Sequence, residues 1–557
     1  MGHHQVDTGT GQFSRDPTGL PMAEPTENVV LLDGDEFDLR IAPVANRIGD
    51  ATVRMLAYNR SIPGPTLRVK QGTELVVNVT NDGDIAATVH WHGLRLENRF
   101  DGVPHETQKP IPIGGSFTYR IRFPDEGVYW YHPHIREDYA IDMGLYGNIV
   151  VEPTDPAYWP PCDRDVVLTI DDFLLEDGEA SVYERAEPDH MAMGRFGNVF
   201  LVNGDPDWSL DVRRGEVVRF CFTNTANTRV FKLRIAGATM KLVGGDSGRY
   251  EHETFVDDVV IAPSERAVVD VMFDRPGDAM LEHVTPDQVY SLGRIAVSSE
   301  QAPSAAAASF STLRHAPELE AERERIATDI EREPDKVLAF VAEMDVPAST
   351  GDEPGGAQPA GPRFACPMDS EVVSDEPDRC PKCGMKLLPI ALVPAALELL
   401  EAHDDADGDT SHDAHAHAAG SIEWEDTMEA VNRMTTSGNM RWLLVDRATG
   451  ERNAGVTWSF TVGDRIKIRL VNEMDSDHPM HHPFHIHGAG RFLVLTRDGV
   501  TEPNLVWKDT VLVKTGEVVD IVLDVSNPGL WMAHCHIAEH SAGGMMFSFN
   551  VARAVPV

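Results

Sequence analysis

The chain has 557 residues, of which 42% are apolar, and its acidic residues outnumber its basic ones to give a formal charge of −41. This length exceeds what one hydrophobic core supports, and this charge disfavours nucleic acid and anionic membranes as partners. No uninterrupted apolar run of about 18 residues occurs, so the sequence predicts no membrane span. No signal peptide is visible, because the first residues lack a basic stretch followed by an apolar core.

Three stretches of the chain share one pattern, in which a Gly and a polar residue precede strand-forming residues and a closing Asn. They run from Gly72 to Asn81, from Gly215 to Asn224 and from Gly463 to Asn472. Short runs of strand formers separated by Gly, Pro and Asp turns are typical of β-sandwiches, and the repetition indicates repeated domains. The sequence therefore predicts an all-β protein with domains at 25–155, 156–300 and 421–557 and an insertion at 301–420.

Paired histidines distinguish the first and third repeats from the second. The chain has 23 histidines, so about one His-x-His is expected by chance, and His415-Ala-His417 is interpreted as that instance. Four other pairs occur, two in the first repeat and two in the third: His90 and His92, His132 and His134, His485 and His487, and His534 and His536. Side chains at i and i+2 share one face of a strand, so each pair presents two imidazoles together.

The second repeat has no such pair. Arg229-Val-Phe-Lys stands at the corresponding stretch, and a strand without imidazoles offers no ligands for a metal there. We expect this domain to act as a spacer that shapes the substrate side.

The insertion has three parts of different composition. A charged run from Glu318 to Glu333 predicts a helix with Leu319, Ile326 and Ile330 on one side. A cysteine module follows at about 362–390, with Cys366, Cys380 and Cys383, and an Asp/His-rich tract interpreted as a solvated linker extends from His403 to His417. In Cys380-Pro-Lys-Cys383-Gly the Pro and Gly turn the chain so that two thiolates meet one metal.

This module resembles a small heavy-metal-binding domain, in which a His is expected where Asp369 stands. Zinc and cuprous copper both suit three thiolates, with Met368 and Met385 as further candidate ligands. A structural zinc site and a copper-delivery module are equally consistent with the sequence.

The third repeat contains a thiol between two of its paired histidines. In His534-Cys535-His536 the imidazoles face one way and the thiol faces the other, and His482 shares the thiol's side because it lies an odd number of residues from His485. His540 and Met545 follow Cys535. Two imidazoles, one thiolate and a weak axial Met are the ligands of a blue-copper electron-transfer site.

Four motifs, HWHGL, WYHPH, HPFHIHG and HCHIAEHSAGGM, resemble those of the multicopper oxidase family across residues 25–300 and 420–557. The resemblance implies three cupredoxin-like Greek-key β-sandwich domains and four copper ions. It implies a type 1 copper at His482, Cys535, His540 and Met545, a type 2 copper at His90 and His485, and a type 3 pair at His92, His132, His134, His487, His534 and His536.

The resemblance also implies that a donor is oxidised one electron at a time, that electrons pass through Cys535 to His534 and His536, and that dioxygen is reduced to water. Asp101 matches a family acid near the cluster, although it is equally well interpreted as a turn residue before Gly102. Ser541 stands where many bacterial relatives have a Glu. The resemblance to this family also implies an extracytoplasmic location.

These features bear on four candidate functions. The main hypothesis is a laccase-type oxidase of phenols or similar organic donors. The alternative is a metallo-oxidase for cuprous or manganous ions, which Met480, Met428, Met434 and Met440 and the metal module would suit. A copper-storage protein does not explain paired histidines in two domains, and a copper nitrite reductase would lack the set of eight imidazoles.

Overall fold

The computed structural model describes residues 10–345, 364–403 and 420–554, and strands dominate this part of the chain. Within it, most of the strands form three successive pairs of sheets, and each pair encloses a core to which both of its sheets contribute. The predicted all-β class is confirmed.

The first pair of sheets carries two of the histidine pairs. In order, its four-stranded sheet contains Ala51–Tyr58, Glu36–Ile48, Glu74–Asn81 and Ser116–Arg122. Its five-stranded sheet contains Asn28–Val30, Gly64–Lys70, Gly147–Glu152, Gly127–His132 and His90–His92. The last two strands are antiparallel neighbours with His90 opposite His132, so both histidine pairs lie at one edge of this sheet.

The second pair of sheets follows along the chain. Its six-stranded sheet contains, in order, Val199–Val202, Arg164–Phe173, Glu216–Asn224, Arg266–Phe273, Thr239–Gly245 and Gly248–Val256. Its five-stranded sheet contains Ser209–Arg214, Val289–Gln301, Gly277–Val284, Phe231–Ala236 and Val259–Ile261. A small hairpin of Leu175–Glu176 and Glu179–Ala180 lies beside them.

The third pair of sheets carries the remaining histidine pairs and Cys535. Its six-stranded sheet contains, in order, Met440–Asp446, Lys336–Met344, Arg465–Asn472, Val518–Val525, Gly490–Arg497 and Val500–Thr501. Its five-stranded sheet contains Ser459–Thr461, Met546–Ala552, Gly529–Cys535, His482–Ile486 and Thr510–Val513.

The repeated pattern forms the same strand in each pair of sheets. Each copy pairs parallel with an earlier strand and antiparallel with a later one. In the third copy the parallel partner is Lys336–Met344. That strand lies inside the stretch predicted as an insertion, whereas the third β domain was expected to resume near Ser421. The cysteine module that follows this strand separates it from its partners in sequence and so concealed the pairing.

The closing Asn of each copy fastens two loops through its amide nitrogen. Asn81 donates to Ile85 O and Ile111 O, Asn224 to Arg229 O and Ile261 O, and Asn472 to Met480 O and Lys514 O. One of these loops leads into the stretch that carries His90 in the first copy and His482 in the third. In the first and third copies, the repeated Asn therefore helps to position the segments that carry these histidines.

The helices are few and short. They are Glu137–Ala140, Pro317–Glu331, Pro394–His403, Glu429–Asn432 and Ala538–Ala542, with 3-10 turns at Asn98–Phe100, Ala307–Ser309, Ile390–Leu392 and Asn453–Gly455. The helix predicted at Glu318 to Glu333 forms and buries Leu319 and Ile326 against the third pair of sheets. Among the described residues, no helix has both the length and the apolar character needed to cross a bilayer.

The cysteine module folds as a three-stranded sheet of Val373–Ser374, Phe364–Ala365 and Leu388–Pro389. It does not stand apart, because Cys366, Cys383 and Met385 belong to the same apolar cluster as Met480 and Phe484 of the third pair of sheets. Apart from His403, the Asp/His-rich tract, including His415 and His417, lies outside the described residues.

Candidate metal centres

His482, Cys535 and His540 come together in the third pair of sheets, with one donor atom of each within 4.8 Å of the others. The Sγ of Cys535 lies 3.4 Å from Nδ1 of His482 and 3.8 Å from Nδ1 of His540. Strand pairing places Phe484 opposite Cys535, which brings the sulfur beside His482. The helix Ala538–Ala542 then returns the chain so that His540 reaches the same point.

Burial determines the protonation of this cluster. All three side chains are inaccessible to solvent. Burial raises the pKa of the Cys535 thiol and lowers the pKa of His482 and His540, so in the absence of a cation the cluster is neutral. A thiolate in such a place needs a positive ion beside it, and a bound metal supplies that ion.

Met545 is also fully buried, and its backbone is hydrogen-bonded to Cys535 and to His540. Cys535 N donates to Met545 O at 3.2 Å, and Met545 N donates to His540 O at 3.0 Å. These bonds bring the residue predicted as the axial ligand beside Cys535 and His540 in the chain.

The other eight motif histidines gather where the first and third pairs of sheets meet. The donors of His134, His487 and His534 form one group within 4.8 Å. The rings of His92, His132 and His536 form a second group, with centroids 5.0 to 5.6 Å apart. His90 and His485 lie between these groups, with centroids 5.8 Å apart.

Each of these imidazoles except His92 directs Nε2 inward, and for six of them the structure gives an acceptor that anchors Nδ1. The Nδ1 acceptors are Asp101 O for His90, Pro133 O for His132, Glu137 for His134, Asp509 O for His485, Asp101 Oδ2 for His487 and Cys535 O for His534. The inward Nε2 atoms of His90, His132, His134, His485 and His536 have no hydrogen-bond partner although they are buried.

The pair His487 and His534 makes the need for a cation explicit. Both Nδ1 atoms face oxygen acceptors, so they carry the ring protons, and both Nε2 atoms present lone pairs. These two Nε2 atoms face each other at 3.1 Å. Two lone pairs at this distance repel, and a metal ion that both can ligate removes the repulsion. The residues therefore fit bound copper.

His92 is oriented the opposite way, and the residues responsible were missed from the sequence. Its Nε2 lies 3.0 Å from Asp509 Oδ1 and 3.1 Å from Thr510 Oγ1, which leaves Nδ1 to face the cluster. Asp509 is in turn held by Arg266, which comes from the second pair of sheets and is fully buried. No local motif marks Arg266 or Asp509.

Glu137 was also missed. It lies three residues after His134, and its carboxylate is 2.9 Å from His134 Nδ1. Burial alone would raise the pKa of Glu137, but the His134 imidazole lowers it well below its usual range. An acid three residues after a His-Pro-His motif, at the start of a short helix, is the signal that could have identified it.

Asp101 lies within the cluster as a fully buried side chain. Its Oδ2 accepts from His487 Nδ1 at 2.8 Å, and its backbone oxygen accepts from His90 Nδ1 at 2.7 Å. Burial would raise its pKa, but His487 and His90 hold the pKa below the ordinary range of a carboxyl. The simple turn interpretation is therefore incomplete, because Asp101 orients two imidazoles.

Ser541 and Glu539 lie on the helix that carries His540. The hydroxyl of Ser541 is 3.4 Å from His534 Nδ1 and is fully buried. Burial raises the pKa of Glu539 to about 8, and its carboxylate contacts Asn227 and Thr228 of the second pair of sheets. A buried acid is thus present two residues before Ser541.

The cysteine module forms a separate cluster. The donors of Cys366, Asp369, Cys380 and Cys383 all lie within 4.8 Å of one another. Asp369, which replaces the expected His, therefore joins the three cysteines in space.

The fold and these clusters define a copper-dependent oxidoreductase. Multicopper oxidase family models match residues 43–156, 164–281 and 425–555, which together make up more than half of the chain, and a heavy metal binding domain model matches residues 363–390. The chain belongs to the multicopper oxidase family, as its four histidine motifs predicted.

Relatives and solved structures agree with this membership. Multicopper oxidase MmcO of Mycobacterium tuberculosis is 26% identical over 90% of this chain and 84% of its own length. Laccase-3 of Oryza sativa is 25% identical over 93% of this chain and 91% of its own. Copper resistance protein A of Pseudomonas syringae is 28% identical, but the match spans 45% of this chain and 48% of that protein.

Two solved structures show the same fold. The multicopper oxidase of Pseudomonas thermotolerans superposes with a TM-score of 0.61 at 22% identity, covering 94% of this chain and 100% of that one. The metallo-oxidase of Campylobacter jejuni gives 0.62 at 19% identity, covering 97% and 99%. The β-sandwich domains are therefore cupredoxin-like, as expected.

Proposed function

We propose that the protein couples one-electron oxidation of a donor to four-electron reduction of dioxygen to water. In this proposal His482, Cys535, His540 and Met545 hold the type 1 copper. His90 and His485 hold the type 2 copper, and His92, His132, His134, His487, His534 and His536 hold the type 3 pair. Bound copper supplies the one-electron redox change at the first site and the reduction of dioxygen at the second.

Cys535 carries the proposal. Its sulfur belongs to one cluster while its covalent neighbours His534 and His536 belong to the other, because alternate residues of an extended chain face opposite sides. A short covalent path therefore joins the two clusters without any movement of the chain.

The side chains around the cluster would hold and move protons during the reaction. Asp101 keeps His487 and His90 oriented, and we propose it as the acid nearest to the site of oxygen reduction. Glu137 and Asp509 hold His134 and His92 in the same way. These three carboxylates fix which ring nitrogen of each histidine is available as a ligand.

Burial of the type 1 imidazoles favours a metal ion over a phenol as the donor. His482 and His540 have no solvent-accessible surface. Phe340 stacks on His482 with ring centroids 5.2 Å apart, and Trp442 stacks on His540 with centroids 4.1 Å apart. A bulky phenol finds no exposed imidazole edge to contact. A cuprous donor also suits the buried Met480, because thioethers are soft ligands.

The laccase-type organic oxidase, which is the main hypothesis from the sequence, becomes the second candidate, and the match to Laccase-3 supports it. Oxygen uptake by the copper-loaded protein separates the two, with cuprous ion and a bulky phenol as alternative donors. We expect faster turnover on cuprous ion. The Cys535→Ser variant measures the background of spontaneous cuprous oxidation, and a higher rate on the phenol after this subtraction would refute the metal-ion donor.

Copper content tests the site assignment independently of the donor. The proposal requires about four copper ions per chain, held by the first and third β domains, whereas a storage protein or a nitrite reductase would give a different number. The family resemblance also supports an extracytoplasmic location, which fractionation of the native host would test.

A further inference from the structure

The sequence does not decide whether the inserted module binds zinc or cuprous copper. The identity of the fourth donor in the cluster helps to decide between these two ions. The Sγ atoms of Cys366 and Cys383 are 3.5 Å apart, and the Sγ of Cys380 is 3.5 Å from Oδ2 of Asp369. All four donor residues are largely withdrawn from solvent. Three sulfurs and one carboxylate oxygen thus converge on a single point.

The backbone of the module is built for this convergence. Asp369 N donates to the sulfur of Cys366 at 3.2 Å, which fixes the position of the carboxylate relative to the first thiol. Gly384 adopts a φ of +79° directly after Cys383, and Gly384 N donates to Cys380 O at 2.8 Å. This turn, which a residue with a side chain adopts only with strain, holds Cys380 and Cys383 on the same side.

We propose that the module binds one zinc ion through Cys366, Asp369, Cys380 and Cys383, and that this zinc fixes the loop leading to His482. Zinc takes four ligands tetrahedrally from thiolate, imidazole and carboxylate. Cuprous copper prefers thiolates and thioethers, and it gains little from a carboxylate. The carboxylate that Asp369 supplies in place of the expected His therefore favours zinc over cuprous copper.

Charge favours the same ion. Three thiolates and a carboxylate leave two negative charges around a divalent ion but three around a monovalent one, in a cluster that is mostly buried. Lys382 lies 3.9 Å from Asp369 and 3.6 Å from Glu371. One lysine offsets the smaller excess better than the larger one.

The module is attached to the loop between Asn472 and His482. Arg379, which directly precedes Cys380, donates to Ser476 O and pairs with Asp477 at 3.0 Å. Lys386 N donates to Asp477 O at 2.9 Å, so the turn that carries two of the thiols is held from both ends. Gly384, within this turn, lies against the same loop.

The same loop is fastened on its other side to the sheet. Ala342 N donates to Ser476 Oγ at 2.7 Å, and Asp477 N donates to Ala342 O at 3.0 Å. Three residues after Asp477 the chain reaches Met480, whose oxygen accepts from Asn472, and then His482. Zinc that holds the turn of the module therefore helps to fix the backbone from which His482 projects.

The first test identifies the metal in the full-length protein produced with both zinc and copper in the medium. We expect one zinc per chain, and zinc-edge X-ray absorption should show about three sulfur ligands near 2.3 Å and one oxygen near 2.0 Å. Asp369→Asn should weaken zinc binding about tenfold or more in a chelator competition. Glu376→Gln, an exposed position of the same module, is the matched control. A module that holds copper, holds no metal, or ignores the Asp369 change would overturn the proposal.

The second test measures the attachment by hydrogen exchange of residues 473–481. Arg379→Gln removes charge-assisted hydrogen bonds to the loop while leaving the four zinc donors in place, and we expect exchange there to rise about tenfold or more. Zinc-free protein made from Cys383→Ser should show the same rise, and Glu376→Gln should not. Unchanged exchange in Arg379→Gln and Cys383→Ser, with zinc lost from the latter, would refute the coupling to His482 while leaving the oxidase assignment intact.

Discussion

Replacement of Arg266 by glutamine should destabilise the protein far more than the loss of an ordinary ion pair. The guanidinium of Arg266 is fully buried and donates to both oxygens of Asp509, to Val128 O and to Ser264 O. The variant leaves the carboxylate of Asp509 buried without this cation. Breaking a buried pair in this way costs about 3–5 kcal/mol.

The exposed pair Arg40 and Asp82 provides the matched control. Its nitrogen and oxygen are 2.6 Å apart, but the side chains are 64% and 37% exposed. Removing an exposed pair of this kind costs about 0–1 kcal/mol, so Arg40→Gln should change little. The assay is urea denaturation of the copper-free protein, followed by tryptophan fluorescence.

Copper loading extends the test from stability to the site. Because Asp509 holds His92, Arg266→Gln should also lower copper bound at the cluster of eight histidines, whereas Arg40→Gln should not. Arg266→Lys keeps the charge but loses the paired contacts, so it should recover part of the stability. If Arg266→Gln and Arg40→Gln unfold at the same urea concentration, the reasoning from burial is wrong.

Three further predictions address other residues. Cys535→Ser should abolish the intense visible absorption of a thiolate bound to copper together with turnover, and retained oxidase activity would contradict the assignment. Asp101→Asn should keep the hydrogen bond to His487 but slow reoxidation by dioxygen, with the type 1 absorption unchanged as its control. Burial raises the pKa of Asp142 to about 7, above the ~4 of an unfolded carboxyl, so the stability that this group contributes is lost as the pH rises between these values. Asp142→Asn should therefore gain stability relative to the parent protein between pH 5 and pH 8 in urea denaturation, and a constant difference would show that Asp142 does not titrate there.

The sequence by itself determined the features that depend on neighbouring residues. Alternation along a strand is a local property, so the opposite orientation of Cys535 and its flanking histidines followed from their order alone. The repeated Gly-to-Asn pattern likewise predicted the β class, because each copy is one strand with its turns. The helix near Glu318 followed from its apolar spacing.

Only the tertiary structure decided which distant groups meet. One chain of contacts links Arg266, Asp509 and His92 and so joins all three pairs of sheets. These three residues lie far apart in the sequence, and no two of them share a motif. The strand Lys336–Met344 is separated from its partners by the module, and Asp369 reaches the cysteines only when the module folds. Such contacts arise from packing between segments far apart in the chain, and local alternation and spacing carry no information about them.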